Sequence, residues 1–298
     1  MTDFLAAHGG VLVHLNGVFA LLQVTGDDAE AFLQGQFTCD VEALQKGQSS
    51  YGAYCTAKGR MLASFLIWRN DSGFVLMVAA DLVETMRRRL QMFILRAKVK
   101  IETLGPQGTL IGLAGNQIAG LQHEAGLLLK LDEWRSLLHI DNEQPTDLSG
   151  KFSASLKSAE AETWQWLDIV QGIPWITAAT QEQFIPQMVN LEKIGGVSFK
   201  KGCYPGQEIV ARTQYLGKAS RRMHLMHSEA LLQAGDEIYA DTMGDQSCGM
   251  VVNAIAAPQG GCDALAVVHQ DALNGPVHAQ SLTGPRMESR PLPYDLKA

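Results

Sequence analysis

The feature of this sequence that most constrains its fold is a change of hydrophobic pattern near residues 217–222. Before it, apolar runs of strand length alternate with stretches whose apolar residues recur at helical spacing. After it, short apolar pieces are separated by Gly, Asp and Pro, and none has a clear helical period. Such pieces are typical of a small antiparallel barrel or sandwich. At about 150 residues per domain, 298 residues also favour two domains. We predict an α+β body over 1–218 and a β-rich domain over 219–298.

Within the body, the patterns predict strands, a hairpin and helices. Gly59 supplies the turn of the hairpin, which begins at Tyr51 and ends at Trp68. The run Arg87–Arg89 is interpreted as the solvated face of a helix that begins near Asp81. The other predicted segments are strands over 18–24 and 73–79, core positions Leu82, Met86, Leu90 and Phe93 on that helix, a helix over 116–126 and a polar loop over 141–151.

Charge and composition exclude several classes of protein. The formal net charge is -7, so no global positive field attracts nucleic acid, and direct RNA binding is not expected. The longest clean apolar run, 61–68, is far shorter than the roughly 20 residues needed to span a bilayer, so no membrane partner is expected. The first ten residues contain no Lys or Arg and make a poor secretory signal. These features predict a soluble, cytoplasmic protein.

The five cysteines match no disulfide or zinc framework, because they are odd in number and widely spaced. Cys203 differs from the other four by its surroundings. It lies in a segment, 184–222, that is rich in glycine and basic within an acidic chain. Cationic neighbours, and a helix that Pro205 could open, both make a nearby thiol more reactive. The alternative is a thiol with no chemical role. The basic residues of the segment are Lys200, Lys201, Arg212, Lys218, Arg221 and Arg222.

The run KKGCYPGQEIVART at 200–213 closely resembles the signature of the YgfZ family, folate-binding relatives of the glycine-cleavage T-protein. The preceding FIPQMVNLEKIGGVSF at 184–199 is similar to that family as well. The resemblance covers essentially the whole chain, since it extends to LQGQFTCDV (33–41), AKGR (57–60) and PLPYDL (291–296).

The resemblance implies a T-protein-like fold, in which an α+β body surrounds a central folate-binding channel and a small C-terminal antiparallel β-barrel follows. It implies tetrahydrofolate or a derivative as the cofactor. The implied function is accessory: support of iron–sulfur cluster assembly or repair and, through it, of tRNA modification by methylthiolation. The implied partners are iron–sulfur enzymes such as the tRNA methylthiotransferase.

The resemblance also assigns the site. Cys203 is the functional thiol, and no metal ligands are assigned. Phe19, where the family has Trp, and Trp164 fall on aromatic positions associated with folate, although Phe19 by itself is more typical of a strand core and Trp166 is an alternative to Trp164. The motif residues assigned to cofactor binding are Lys201, Gly202, Tyr204, Gln207, Glu208 and Arg212. From spacing alone, Glu208 and Arg212 either form a helix-surface ion pair or face a pocket.

A second function remains open, that of a folate-dependent one-carbon transferase of the aminomethyl type. The T-protein uses an acidic residue just after the equivalent of the AKGR turn. This sequence has Ala63 and Ser64 there and no carboxylate. A proton-transfer step needs a titratable group close to the reacting atom. Asp40 or Asp168 would have to replace the missing acid, so the sequence favours an accessory protein over an enzyme.

Overall fold

The computed structural model describes residues 10–105, 109–115, 118, 126–140, 156–217 and 219–296. Most of the predicted helix over 116–126, the predicted loop over 141–151 and Lys218 lie outside these residues. The chain divides into two compact units, which are Met1–Phe32, Val41–Ser50 and Leu66–Trp164 in one, and Leu33–Asp40, Tyr51–Phe65 and Gln165–Ala298 in the other. The boundary between residues 218 and 219 stays a prediction.

Ten strands, three α-helices and two short 3-10 helices, Ala80–Leu82 and Leu191–Ile194, precede residue 200 in the described part of the chain. The strands are β1 Val11–His14, β2 Phe19–Thr25, β3 Ser49–Cys55, β4 Met61–Asn70, β5 Gly73–Ala79, β6 Lys100–Leu104, β7 Thr109–Ala114, β8 Leu127–Lys130, β9 Arg135–Ile140 and β10 Lys157–Ala159. The helices are α1 Ala29–Gln34, α2 Val83–Gln91 and α3 Ala161–Val170.

These strands form two five-stranded sheets. One has the order β10-β1-β7-β9-β8 and the other the order β3-β4-β5-β2-β6. In the first, only the β1–β10 pair is parallel, whereas β1–β7, β7–β9 and β8–β9 are antiparallel. In the second, β2 pairs antiparallel with both β5 and β6. The mixture of sheets and a few helices confirms the predicted α+β class.

The predicted hairpin is confirmed as β3 and β4. Its turn closes through two backbone hydrogen bonds, from Thr56 N–H to the Arg60 carbonyl (2.8 Å) and from Gly59 N–H to the Thr56 carbonyl (2.9 Å). Gly59 has a φ of 71°, a left-handed conformation that glycine adopts without strain. Residues 61–68 of β4 are all buried, which explains why the sequence there is a continuous apolar run.

The prediction for the Arg-rich helix is right for its core positions and wrong for Phe93. Met86 and Leu90 are buried on α2, as the helical period requires. The helix ends at Gln91, however, and Phe93 is 47% exposed. The period fails because the chain turns there, and Leu95 adopts a left-handed φ of 47°.

The C-terminal β-domain is a closed antiparallel barrel, as predicted. Its strands are β11 Arg221–Ser228, β12 Glu237–Ala240, β13 Gly249–Ala256, β14 Cys262–His269, β15 Val277–Ala279 and β16 Arg286–Arg290. They close in the order β11-β14-β13-β12-β15-β16, and β16 pairs back onto β11. Because the barrel closes on itself, each of its strands is hydrogen-bonded to a neighbour on both sides. The barrel core is built from small and medium apolar side chains such as Ala264, Ala266 and Val268.

A fourth helix, α4 Gln207–Leu216, comes between the Cys203 segment and the barrel. It begins two residues after Pro205, close to where the sequence predicts a helix, and Gly206 is its N-cap. Among the described residues, no helix is both long and apolar enough to cross a membrane.

Candidate functional site

Three segments that carry the family resemblance meet in the second compact unit. They are 33–40, the hairpin turn at 56–60 and 196–207. Thr38 joins the first to the third, because its buried hydroxyl donates to the Gly196 carbonyl (2.6 Å) and its own carbonyl accepts from Ser198 N–H (2.8 Å). The same hydroxyl accepts from Ala53 N–H on β3 (2.8 Å). Thr38 therefore fixes the segment that leads into the cysteine loop.

Lys201 anchors the loop on the N-terminal side of Cys203. Its Nζ donates to three backbone carbonyls, those of Gln34 (2.6 Å), Phe37 (2.6 Å) and Cys39 (2.8 Å). An ammonium has three N–H donors, so these carbonyls satisfy all of them. Gln34 is the last residue of α1, where a cation is also favoured by the helix dipole. The charge of Lys201 is thus committed to the chain that holds the loop.

Tyr204 anchors the loop on the other side. Its ring is buried, and the Lys201 Nζ lies 5.4 Å from the ring centroid, within cation–π range. Burial raises the pKa of the Tyr204 phenol, so the hydroxyl stays neutral. Between the two anchors, Gly202 and Cys203 are exposed. The structure therefore presents the thiol on a loop that is fastened immediately before and after it.

The loop then passes over the hairpin turn at Gly206. This residue has a φ of 83°, and a Cβ placed on it would come within 2.5 Å of the Thr56 carbonyl oxygen. Only glycine fits that position. On the first turn of α4, Ile209 packs against Gly59. The AKGR turn is therefore the support on which the start of α4 and the end of the cysteine loop lie.

Cys203 is the only exposed cysteine of the five, all of which are free thiols in the described structure. Burial raises the pKa of Cys39 to about 12, although Lys201 acts in the opposite direction, and burial raises the pKa of Cys55 to about 12. Burial also raises the pKa of Cys248 and of Cys262. These four thiols remain protonated at neutral pH and are shielded from reagents. The structure thus separates Cys203 from the other four, as the sequence does.

The other motif residues take different positions. Gln207 is half-buried, and its amide nitrogen lies 3.5 Å from the Gly202 carbonyl. Glu208 and Arg212 are exposed or partly exposed, and no ion pair joins them among the described residues. Arg212 lines an open groove of about 540 Å³ together with Ile185 and Met188. The spacing allowed two interpretations of Glu208 and Arg212, and the surface ion pair is not found among the described residues. The cofactor-binding role of these residues stays a prediction.

Phe19 and Trp164 lie in the first unit, and each is described there. Phe19 begins β2 and is buried. Trp164 is completely buried on α3, and its ring packs so closely on Gly112 that a Cβ on that glycine would overlap it. The Arg135 guanidinium lies 5.5 Å from the centroid of the Trp164 ring. The indole N–H of Trp164 has no hydrogen-bond partner among the described residues.

The neighbouring Trp166 has a different environment. Its indole N–H donates to the buried carboxylate of Asp263 in the barrel, at 2.9 Å. Asp263 also contacts His227 and Arg290. Trp166 therefore has a structural partner that Trp164 lacks. The assignment of Trp164 to folate binding stays a prediction.

The residues considered for acid–base chemistry are engaged in structural contacts. The Ser64 hydroxyl donates to the Pro174 carbonyl (2.9 Å) and accepts from Ile176 N–H (2.8 Å). Asp40 accepts from the side-chain amide of Gln34 (2.9 Å). Asp168 is buried and accepts from the indole N–H of Trp175 (2.8 Å). Within the described residues, no group of three or more His, Cys, Asp or Glu side chains is arranged to hold a metal ion.

Two residues that build this site are not among the site residues assigned from the sequence. Thr38 and Gly206 carry no reactive group, yet they hold the cysteine loop against its neighbours. The sequence could have pointed to Thr38 and Gly206, because both lie in segments that resemble the same family. A polar residue inside a buried motif, and a glycine just before a helix, are typical of such positions.

Known proteins give three kinds of match. The GCVT N-terminal domain family matches residues 10–121. A "tRNA-modifying protein YgfZ" from Photobacterium profundum is 35% identical over 227 residues, which cover 71% of this chain and 68% of that protein. The protein of the same name from Yersinia pestis (strain Pestoides F) is 32% identical over 305 residues, covering 93% and 91%.

The solved structures include an aminomethyltransferase T of the glycine cleavage system from Bartonella henselae. It superposes with a TM-score of 0.71 at 16% identity, covering 95% of this chain and 84% of that chain. This likeness confirms the T-protein-like fold. Together with the identity to curated proteins over most of both sequences, it leads to one assignment: the chain belongs to the YgfZ family.

Proposed function

We propose that this protein is a folate-binding accessory factor that supports iron–sulfur cluster assembly or repair and, through it, tRNA methylthiolation. The observation that carries the proposal is the presentation of Cys203. Lys201 and Tyr204 hold the loop on both sides of the thiol, and the other four cysteines are buried. An accessible thiol on a fixed loop is suited to transient chemistry with a partner. The similarity to relatives named tRNA-modifying protein YgfZ supports the tRNA part of the proposal.

Folate binding is supported by the aromatic residues of the first unit. Trp164 has a buried indole N–H that lacks an acceptor among the described residues, and a buried donor without an acceptor costs free energy. A pterin ring offers such acceptors and stacks on aromatic faces. Both rings are buried in this structure, so we propose that the ligand reaches them when this packing opens, with Trp164 donating to the ligand and Phe19 contributing a ring without a donor. Bound tetrahydrofolate would supply the carrier for a one-carbon unit.

The second function, a one-carbon transferase, is not favoured by either of the two carboxylates that could replace the missing acid. Asp168 holds the Trp175 indole, and Asp40 holds the Gln34 amide. Ser64 lies where the T-protein has its acid, and its hydroxyl is committed to two backbone groups. We therefore propose a binding and thiol-dependent role in preference to turnover on folate.

Deletion of the gene and complementation by variants test the proposal. We expect the deletion strain to lose iron–sulfur enzyme activity and tRNA methylthiolation. The wild-type gene should restore both, whereas Cys203→Ala and Cys203→Ser should restore neither, although both variants fold. Lys200→Ala, an exposed neighbour of the loop, is the matched control and should complement. Normal methylthiolation in the deletion strain, or full complementation by both cysteine variants, would refute the accessory role or the role of Cys203, respectively.

A separate measurement tests the ligand. Titration calorimetry with tetrahydrofolate should show binding by the wild-type protein and by Cys203→Ser. Trp164→Phe keeps the ring face and removes the N–H donor, so it should bind about five- to tenfold more weakly. Incubation with tetrahydrofolate and methylamine donors should yield no methylene-tetrahydrofolate. Formation of that product would establish the transferase instead.

A further inference from the structure

One surface of the first unit combines positive charge with exposed apolar side chains. Between Glu84 and Glu102 the chain carries six cationic residues and no acidic one, although the whole protein has a net charge of -7. The cations are Arg87, Arg88, Arg89, Arg96, Lys98 and Lys100. We call the stretch from Arg87 to Lys100 the basic segment. A basic amphipathic stretch of this kind is typical of contact with an anionic surface.

The apolar side chains of the basic segment project outward. Met92 is 66% exposed, Phe93 47% and Leu95 89%, so three of the six exposed large apolar side chains of the described structure fall within four residues. Leu95 also has a left-handed φ of 47°, which is strained for a residue with a bulky side chain. Strain of this kind is found where the surrounding structure enforces it, often at binding sites. The chain thus holds a leucine in water at a cost in free energy.

Part of the charge of the segment is not neutralised within the unit. Arg87 pairs with Glu84, Lys98 with Asp27 and Lys100 with Glu102. Arg88 and Arg96 are exposed and have no ion-pair partner among the described residues. One lies before the exposed apolar residues and the other directly after them. Arg89 has no ion pair there either, but it is partly buried. Two exposed cations without an ion pair in the described structure therefore flank Met92, Phe93 and Leu95, which we call the apolar tip.

The charges and side chains of this surface indicate which kind of molecule could bind there. A groove of about 560 Å³ lies beside the tip, but it is lined by the paired charges Glu84 with Arg87 and Lys100 with Glu102. Because these charges neutralise each other, the groove offers an acidic peptide little electrostatic attraction. Of the three exposed apolar residues only Phe93 could stack on a nucleic acid base, whereas Met92 and Leu95 could not, and single-strand binding uses several stacking aromatics. A projecting aliphatic tip with flanking arginines instead fits the interface of an anionic bilayer, which adapts to the shape inserted.

We propose that the basic segment docks the protein reversibly on anionic lipid bilayers, with Met92, Phe93 and Leu95 in the interfacial layer and Arg88 and Arg96 at the headgroups. This is peripheral binding and needs no spanning helix. The sequence-based expectation of no membrane partner rested on the absence of a spanning run, so it does not bear on docking of this kind. The proposal is independent of the function of Cys203.

Co-sedimentation of the full-length protein with lipid vesicles tests the proposal. The probe vesicles contain about 30% phosphatidylglycerol in phosphatidylcholine, and pure phosphatidylcholine vesicles are the neutral comparison. At about 0.1 M salt we expect sedimentation with the anionic vesicles alone, and release at about 1 M salt, where surface charges are screened. The double variant Arg88→Gln/Arg96→Gln should partition about 25-fold more weakly, since each cation near an anionic surface contributes about fivefold.

The apolar contribution is tested with Leu95→Asn. Asparagine tolerates the left-handed conformation, so this variant should fold, yet it should partition several-fold more weakly. Leu231→Asn and Arg286→Gln change exposed residues of the other unit and should bind as the wild type does. Absence of sedimentation by the wild-type protein, or equal sedimentation of wild type and the segment variants, would overturn the proposal.

Discussion

The backbone of Gly206 lies directly against that of Gly59, so that a Cβ on Gly206 would come within 2.6 Å of the Gly59 Cα. Both glycines have positive φ, at 83° and 71°. The contact joins the turn of the β3–β4 hairpin to the start of α4, two elements about 150 residues apart in sequence. It defines where the cysteine loop ends.

Gly206→Ala should destabilise the protein by about 2–4 kcal/mol. The methyl group meets backbone atoms that cannot move aside, and alanine is also strained at positive φ. Urea denaturation measures the change. Gly195→Ala is the matched control, because Gly195 has a φ of 77° and a Cβ placed on it would meet no atom within 4 Å. It should lose only the strain part, about 1 kcal/mol. Equal losses in the two variants would mean that the contact with Gly59 contributes nothing.

Lys201→Met should lower the free energy of unfolding by about 2–4 kcal/mol. The substitution keeps the apolar stem but leaves the carbonyls of Gln34, Phe37 and Cys39 without their donor. Lys200→Met removes a charge from an exposed neighbour and should change the unfolding free energy by less than about 0.5 kcal/mol. Denaturation of both variants under the same conditions decides the point. A Lys201 variant as stable as the Lys200 variant would contradict the anchoring role.

Thiol titration should find a single reactive cysteine in the native protein. Cys203 is exposed, and the other four thiols are buried. With an aromatic disulfide reagent at neutral pH, we expect rapid reaction of one thiol in the folded chain and of five in denaturant. Cys203→Ser should abolish the rapid reaction and leave four thiols in denaturant. Rapid native labelling that persists in this variant would show that a buried cysteine becomes accessible.

Stability should fall at alkaline pH because of Cys39 and Cys55. Burial raises the pKa of each from 9.0 to about 12. Above pH 9 the unfolded chain releases these protons while the folded chain retains them, so the unfolded state is favoured as pH rises. The stabilising contribution is complete below about pH 9 and is lost progressively toward pH 12. Between about pH 8 and pH 10 the two thiols together should account for a loss of about 3 kcal/mol.

The slope of unfolding free energy against pH isolates this effect. Cys39→Ala/Cys55→Ala should have a flatter slope than the wild type over this range, whatever its absolute stability. A double variant with an unchanged slope would assign the alkaline loss to other groups.

Local patterns predict much of the fold. The strand-like runs of β3 and β4, and glycine at the turn, specify the hairpin from contacts a few residues apart. The end of α2 at Gln91, in contrast, does not follow from the helical period of the sequence. Phe93 continues the apolar spacing but lies past the helix end. Periodicity registers side-chain type and carries no information on where tertiary structure ends a helix.

The sequence singles out the exposed cysteine, but it does not reveal the contacts that hold the cysteine loop in place. The basic surroundings of Cys203 are visible in sequence, and they single out the one exposed cysteine. The sequence does not show that Lys201 reaches carbonyls more than 160 residues earlier in the chain. It also gives no sign that Arg222 is committed to Glu192 at 2.5 Å. The net charge counted along a segment therefore overstates the charge available to a ligand, because some of its cations are already paired with groups distant in sequence.

The two anchors beside Cys203 determine how much freedom the thiol gives up when it reacts. A cysteine on a loose loop must be ordered each time it meets a partner, and the lost entropy weakens the encounter. Here Lys201 and Tyr204 impose that order during folding. Under the proposed function, this loss of entropy occurs before a partner arrives, and we expect selectivity among partners to depend on the fit of their surfaces to this loop.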